Sequence, residues 1–153
     1  MGFLADLAEG TKAEAKVLDI LVSKGLRCGG SSKEDRKLYD IWFMHGDKRY
    51  TAEVKYDKYE AKSGNLAIEF YNPKTASPSG IGITQADFWI HILTMPEKIY
   101  ITQVSKLKEF VATVKPLRII AAGGDDNASM YLYKKEIILP IFAELNLEFF
   151  NGL

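Results

Sequence analysis

The chain of 153 residues has little of several things that would narrow its function at once. It carries one cysteine, Cys28, and two histidines. A lone cysteine cannot close an internal disulfide, which excludes a stapled secreted scaffold and fits a reducing compartment. No apolar run approaches the ~18 residues of a membrane helix. The opening MGFLADLAEG lacks the basic and apolar regions of a secretory leader. Asp6 stands where an N-myristoylation signal carries Ser or Thr. These absences predict a cytosolic protein with no membrane partner. Net charge is zero, from 20 basic and 20 acidic residues. That removes any bulk attraction for nucleic acid but leaves room for a local patch. His45 and His91 have no sequence partners for a zinc site or a histidine-based mechanism. Repeats, linkers and low-complexity segments are missing too.

What is present suits one compact domain spanning residues 1–153. Apolar residues make up 47%, with eight Tyr, eight Phe and two Trp. Leu4, Leu7, Val17, Leu18 and Leu21 recur at helical spacing, which predicts a helix over 4–24 ended by Gly25. A polar, Gly/Ser-rich loop follows over 26–37. LYDIWFM and KRYTAEVKYD flank HGDK and read as a hairpin; NLAIEFY (65–71) adds a third strand, giving an antiparallel meander. After a loop over 72–83, Thr84 with Asp87 resembles a capping signal, and a helix bearing Phe88, Ile92 and Leu93 is expected to stop before Pro96. KIYITQV reads as a strand and SKLKEFVATV as a helix. LRIIAA and MYLYK read as a hairpin around GGDDNAS, which lacks the ligand spacing of a calcium loop. KEIILPIFAEL is a last helix interrupted by Pro140. The predicted class is α/β, a mixed central sheet flanked by helices.

Three features break these patterns. Glu14 falls on the apolar stripe of the first helix, where a carboxylate costs several kcal/mol, on the order of its desolvation, unless it is paired or binds a metal. A snorkelling Glu at the stripe's edge also fits. Asp40 opens the strand DIWF among large apolar neighbours, although a strand-start Asp bonding a turn amide is common. Glu53 and Lys55 share one strand face with Thr51, while Ala52, Val54 and Tyr56 share the other. An exposed ion pair on a solvated face explains them equally simply and contributes under about 1 kcal/mol. Together the three point further. Asp40 and Glu53 lie thirteen residues apart across a turn near Gly46, so pairing brings them close to Lys55, and a helix packed on that face adds Glu14. Three carboxylates and a lysine suit a hard divalent cation. Lysine there can orient or help deprotonate a water and stabilise charge on a phosphate.

These residues resemble the PD-(D/E)XK nuclease superfamily. GTKAE (Gly10 to Glu14), Tyr39–Asp40 and AEVK (Ala52 to Lys55) occur in its order, over roughly residues 5 to 90. The closest branch looks like the small phage-type or Holliday-junction-resolvase-like enzymes. Tyr39 departs from the Pro frequent at that position. The resemblance implies a restriction-endonuclease-like core, Mg²⁺ or Mn²⁺ as cofactor, and hydrolysis of DNA to a 5′-phosphate and a 3′-hydroxyl. It implies Asp40, Glu53 and the Val54 carbonyl as metal ligands, Glu14 as a direct or water-mediated ligand, and Lys55 as the catalytic lysine. A homodimer would suit enzymes that cut two strands symmetrically. The alternative is a non-catalytic nucleic-acid-binding or interaction module on the same fold.

For DNA contacts, Lys12, Lys16, Lys58 and Lys62 flank the expected site. Thr84 and Gln85 would open a helix whose N-terminus attracts phosphate, although Thr84 serves equally as a cap. Lys98, Lys106, Lys108, Lys115 and Arg118 stand against Glu109 alone over 98–118; a solvated helix face accounts for Lys106 and Lys108 equally well. Glu69 alternates with apolar neighbours and is expected to face solvent. Trp89 is expected in the core rather than on a base-stacking platform.

Overall fold

A computed structural model describes residues 2–36, 38–94, 96–122 and 128–153. Helix α1 spans Gly2–Ser23. Its described stripe, Ala13, Val17 and Leu21, is buried at i, i+4, i+8 spacing; the Leu4 and Leu7 side chains lie outside the described residues. Gly25 ends it at φ +81°, where Leu26 N–H donates to the Leu21 carbonyl at 3.0 Å. Strands β1 (Cys28–Gly30), β2 (Ile41–His45) and β3 (Lys48–Asp57) follow, then helix α2 (Tyr59–Ser63) and strands β4 (Asn65–Asn72) and β5 (Ser77–Pro78). A 3-10 turn at Gly80–Gly82 leads to β6 (Phe88–Thr94) and β7 (Glu97–Gln103). The chain continues with α3 (Val104–Thr113), β8 (Arg118–Ala122), β9 (Ala128–Lys134), α4 (Lys135–Ile138), a 3-10 turn at Leu139–Ile141, β10 (Ala143–Glu144) and α5 (Leu147–Asn151).

Among the described residues the strands form two sheets. One runs β1-β2-β3-β6-β7-β10 and the other β5-β4-β9-β8. Only β3 and β6 are paired in parallel. One core lies between α1 and the larger sheet and includes Val17, Leu21, Ile41, Ala52, Val54 and Ile90. A second lies on the opposite face, where Trp89 and Leu93 meet Leu107 and Phe110 of α3 and Leu66 and Tyr133 of the smaller sheet. Full burial of one such side chain contributes about 1.5–3 kcal/mol.

Three expectations give way here. The antiparallel meander exists, but it is β1-β2-β3: the 26–37 stretch supplies β1, while β4 pairs with β9 in the other sheet. The helix expected from Thr84 is instead strand β6, central and covered on both faces, with every residue from Phe88 to Leu93 buried. Such a strand shows no alternation, so Phe88 and Ile92 mimic helical spacing. Asp87 caps no helix. Its Oδ2 accepts from Thr51 N–H at 2.9 Å and its own N–H donates to the Thr51 carbonyl at 3.0 Å, aligning β6 with β3. The last helix is broken at Pro140, as the ring requires, into α4, the 3-10 turn and β10. β8 and β9 form the expected hairpin; its turn over 123–127 lies outside the described residues.

Candidate active site

The site begins where β2 leaves β3. The ladder pairs Ile41 with Ala52 at its last position. Beyond it, Asp40 N–H donates to the Ala52 carbonyl at 3.0 Å, and the Asp40 Oδ2 accepts from Val54 N–H at 2.8 Å. The carboxylate thus replaces the missing strand as partner of β3. In a strand a residue's N–H and C=O point to the same side, so the Val54 carbonyl faces the Asp40 side as well.

Glu53 and Lys55 project from the other face of β3, in register with Trp89 and His91. Lys55 Nζ lies 3.3 Å from Glu53 Oε1 and 3.9 Å from Glu69 Oε1. It also sits over the Trp89 ring, 5.9 Å from the centroid. The Thr84 hydroxyl donates to Glu53 Oε2 at 3.3 Å. This face is only partly open to solvent, the Lys55 and Glu53 side chains being 27% and 13% exposed, so the pair is no idle surface bridge. Glu69, expected in solvent, instead faces Lys55. Leu66, Ala67 and Ile68 are all buried, so β4 is covered on both of its faces here, and the side opposite Leu66 and Ile68 meets the larger sheet rather than water. A register shift follows between Glu69 and Tyr71, and the Gly80–Gly82 turn packs close to Glu69 and Phe70. A Cβ on Gly80, which holds φ +51°, would come within 2.3 Å of the Glu69 carbonyl oxygen. The glycine is required by that approach.

Glu14 reaches this cluster differently from the expectation. Helix α1 packs on the Ala52/Val54 face, opposite Glu53 and Lys55, so Glu14 approaches from the Asp40 side. Burial, with the Asp40 and Glu53 charges, raises its pKa to about 7 against the opposing pull of Arg36 and Lys55. Arg36 is a neighbour that sequence patterns did not single out. Burial likewise pushes the Asp40 carboxyl up, opposed by the Val54 N–H bond and Lys55. Burial pushes Glu53 up too, opposed by Lys55 and reinforced by Asp40. For Lys55, burial favours the neutral amine, but Glu69, Glu53 and Asp40 outweigh it, and the ammonium is held above the ordinary lysine range.

The donors are all hard oxygens, and the carboxyl pKa values are raised first by burial and second by neighbouring carboxylates; such a set suits a hard cation chemically. As placed, however, no three His, Cys, Asp or Glu side chains among the described residues converge on a metal position. The other expected contacts are scattered. Lys12, Lys58, Lys62 and Gln85 are exposed, and Lys16 is paired with Glu97. Thr84 is buried and sits at no helix N-terminus, so that phosphate site is lost. Lys108 of α3, weighed as a solvated face, donates to the Thr84 carbonyl at 3.2 Å instead.

A further network escaped sequence reading. His91 Nε2 lies 2.8 Å from Asp57 Oδ2, with both residues buried, so His91 does have a partner. Its hydrogen bonds hold Asp57 below the usual carboxylate range despite burial. The two residues are 34 positions apart, and only the β3–β6 pairing unites them. Nearby, buried Glu60 is paired with Lys135.

No protein-family model matches the chain, and no curated protein does. Among solved structures it is similar to a bacterial homing endonuclease, I-Ssp6803I, with a TM-score of 0.52 and 19% identity over 65% of this chain and 70% of that one. The likeness is one of fold, consistent with a restriction-endonuclease-like architecture. No described helix is long and apolar enough to cross a membrane.

Proposed function

We propose that the chain is a Mg²⁺- or Mn²⁺-dependent DNA endonuclease of the PD-(D/E)XK type. The reading rests most on the Asp40–Val54 bond, which brings a carboxylate from β2 alongside the Glu53–Lys55 strand in a nuclease-like fold. Asp40, Glu53 and the Val54 carbonyl would hold the cation, with Glu14 as a further or water-mediated ligand. When bound, the ion would supply Lewis-acid polarisation of the phosphate and a more acidic water. Lys55, whose ammonium its carboxylate neighbours favour, would act as a fixed cation against the charge that develops on the phosphate. The products are a 5′-phosphate and a 3′-hydroxyl. Junction selectivity and a two-copy assembly belong to this proposal as finer possibilities.

Incubation with linear, single-stranded and four-way-junction DNA, with Mg²⁺ or EDTA, tests it. Metal-dependent cleavage is expected, lowered at least about a hundredfold by Lys55→Ala, as for loss of one preorganised charge-stabilising group. Full activity in Lys55→Ala, or no cleavage of any substrate, contradicts the proposal. DNA binding without cleavage, unchanged by Asp40→Asn, would favour the non-catalytic module.

A further inference from the structure

The floor beneath Lys55 is held by a one-directional chain of hydrogen bonds. Trp89 is fully buried, and its indole N–H donates to His91 Nδ1 at 3.1 Å. An indole nitrogen can only donate, so Nδ1 offers its lone pair and the imidazole proton resides on Nε2. That proton is donated to Asp57 Oδ2, 2.8 Å away. Asp57 is fixed by backbone in turn: Ala67 N–H donates to Oδ2 at 2.9 Å and Glu60 N–H to Oδ1 at 3.2 Å.

Packing alone would ask for an apolar side chain at position 89. An anchored indole N–H does more, because it fixes the rotation of the ring. The face of an aromatic ring carries the negative part of its quadrupole and attracts a cation within ≈6 Å. Here the Lys55 ammonium stands over that face, 5.9 Å from the centroid, with Glu53 and Glu69 on its other sides. We propose that Trp89 is a positioning residue for Lys55, with His91 and Asp57 locking its indole in place. The consequence for cleavage rests on the nuclease reading; the placement of Lys55 does not.

Two measurements on the metal-free protein and one on the active protein test this. In NMR spectra the Lys55 Hε resonances should lie upfield of those of the other lysines, from the indole ring current. Long-range ¹H–¹⁵N correlations should show His91 as the Nε2–H tautomer, and Trp89→Phe should release that tautomer. Because Trp89 variants can fail to fold, the third measurement replaces the indole with increasingly fluorinated tryptophans in a Trp42→Phe background. Fluorine drains the ring face while keeping shape and the N–H. Metal-dependent cleavage should fall stepwise, about two- to thirty-fold in all, the range expected for loss of a cation–π contact. Lys55 resonances at ordinary lysine positions, His91 as the Nδ1–H tautomer, or a cleavage rate indifferent to fluorination would each overturn the proposal. Absence of cleavage by the wild type would contradict the nuclease reading, and the Lys55 and His91 resonances would then decide the positioning on their own.

Discussion

At the scale of single residues the site is a balance of charge. Lys55 stands between Glu53 and Glu69, while Glu14 and Asp40 crowd the neighbouring side with Arg36 as counterweight. Burial of Glu14, and secondly its carboxylate neighbours, has a measurable cost. The folded state holds the Glu14 proton more tightly than the unfolded chain, raising its pKa from 4.5 to about 7. Stability contributed below pH 4.5 is therefore lost as pH rises through about 7. Glu14→Gln should flatten that part of the stability–pH profile in urea titrations and make the metal-free protein more stable than wild type at pH 8. An unchanged slope would place Glu14 in solvent. Glu14, Asp40, Glu53 and Lys55 could be picked out as a group, since each taken alone has an ordinary explanation and only their combination across helix and hairpin points to a site. Glu69 was not legible, because alternation along β4 places it opposite Leu66 and Ile68 but does not reveal that this second face is also covered. Asp57 and His91 each look ordinary until strand pairing unites them.

At the scale of elements, two segments aim the site. The Asp40 carboxylate substitutes for β2 at Val54, and the Gly80–Gly82 turn packs directly on the β4 backbone at Glu69 and Phe70. Gly80→Ala would force a Cβ against the Glu69 carbonyl at positive φ. It should cost at least about 2 kcal/mol in chemical denaturation, beyond the left-handed backbone penalty alone. A neutral substitution would mean the turn does not clamp β4. The β2–β3 hairpin was readable from HGDK and its flanks. Strand β6 was not, since a strand buried on both faces and a helix can share the same apolar spacing, and Thr84 with Asp87 supplied a false capping signal.

At the scale of the whole molecule, β3 and β6 lie between two apolar cores, one under α1 and one under α3 and the smaller sheet. The site therefore stands on the least yielding part of the protein, and β8, an edge strand with exposed Ile119, on a more yielding part. Hydrogen exchange should show β6 amides opening only with global unfolding and β8 amides opening locally. Exchange of β6 as fast as β8 would contradict this layering. The α/β class followed from composition and element order, whereas the division into two sheets depended on where β4 pairs, which strand patterns do not encode. The most direct test of the metal-dependent nuclease account is anomalous diffraction from crystals soaked in Mn²⁺. The account predicts a peak bounded by the Asp40 and Glu53 carboxylates and the Val54 carbonyl, lost in Asp40→Asn. Mn²⁺ bound elsewhere, or no peak between Asp40 and Glu53 in crystals of protein that cleaves DNA, would contradict it.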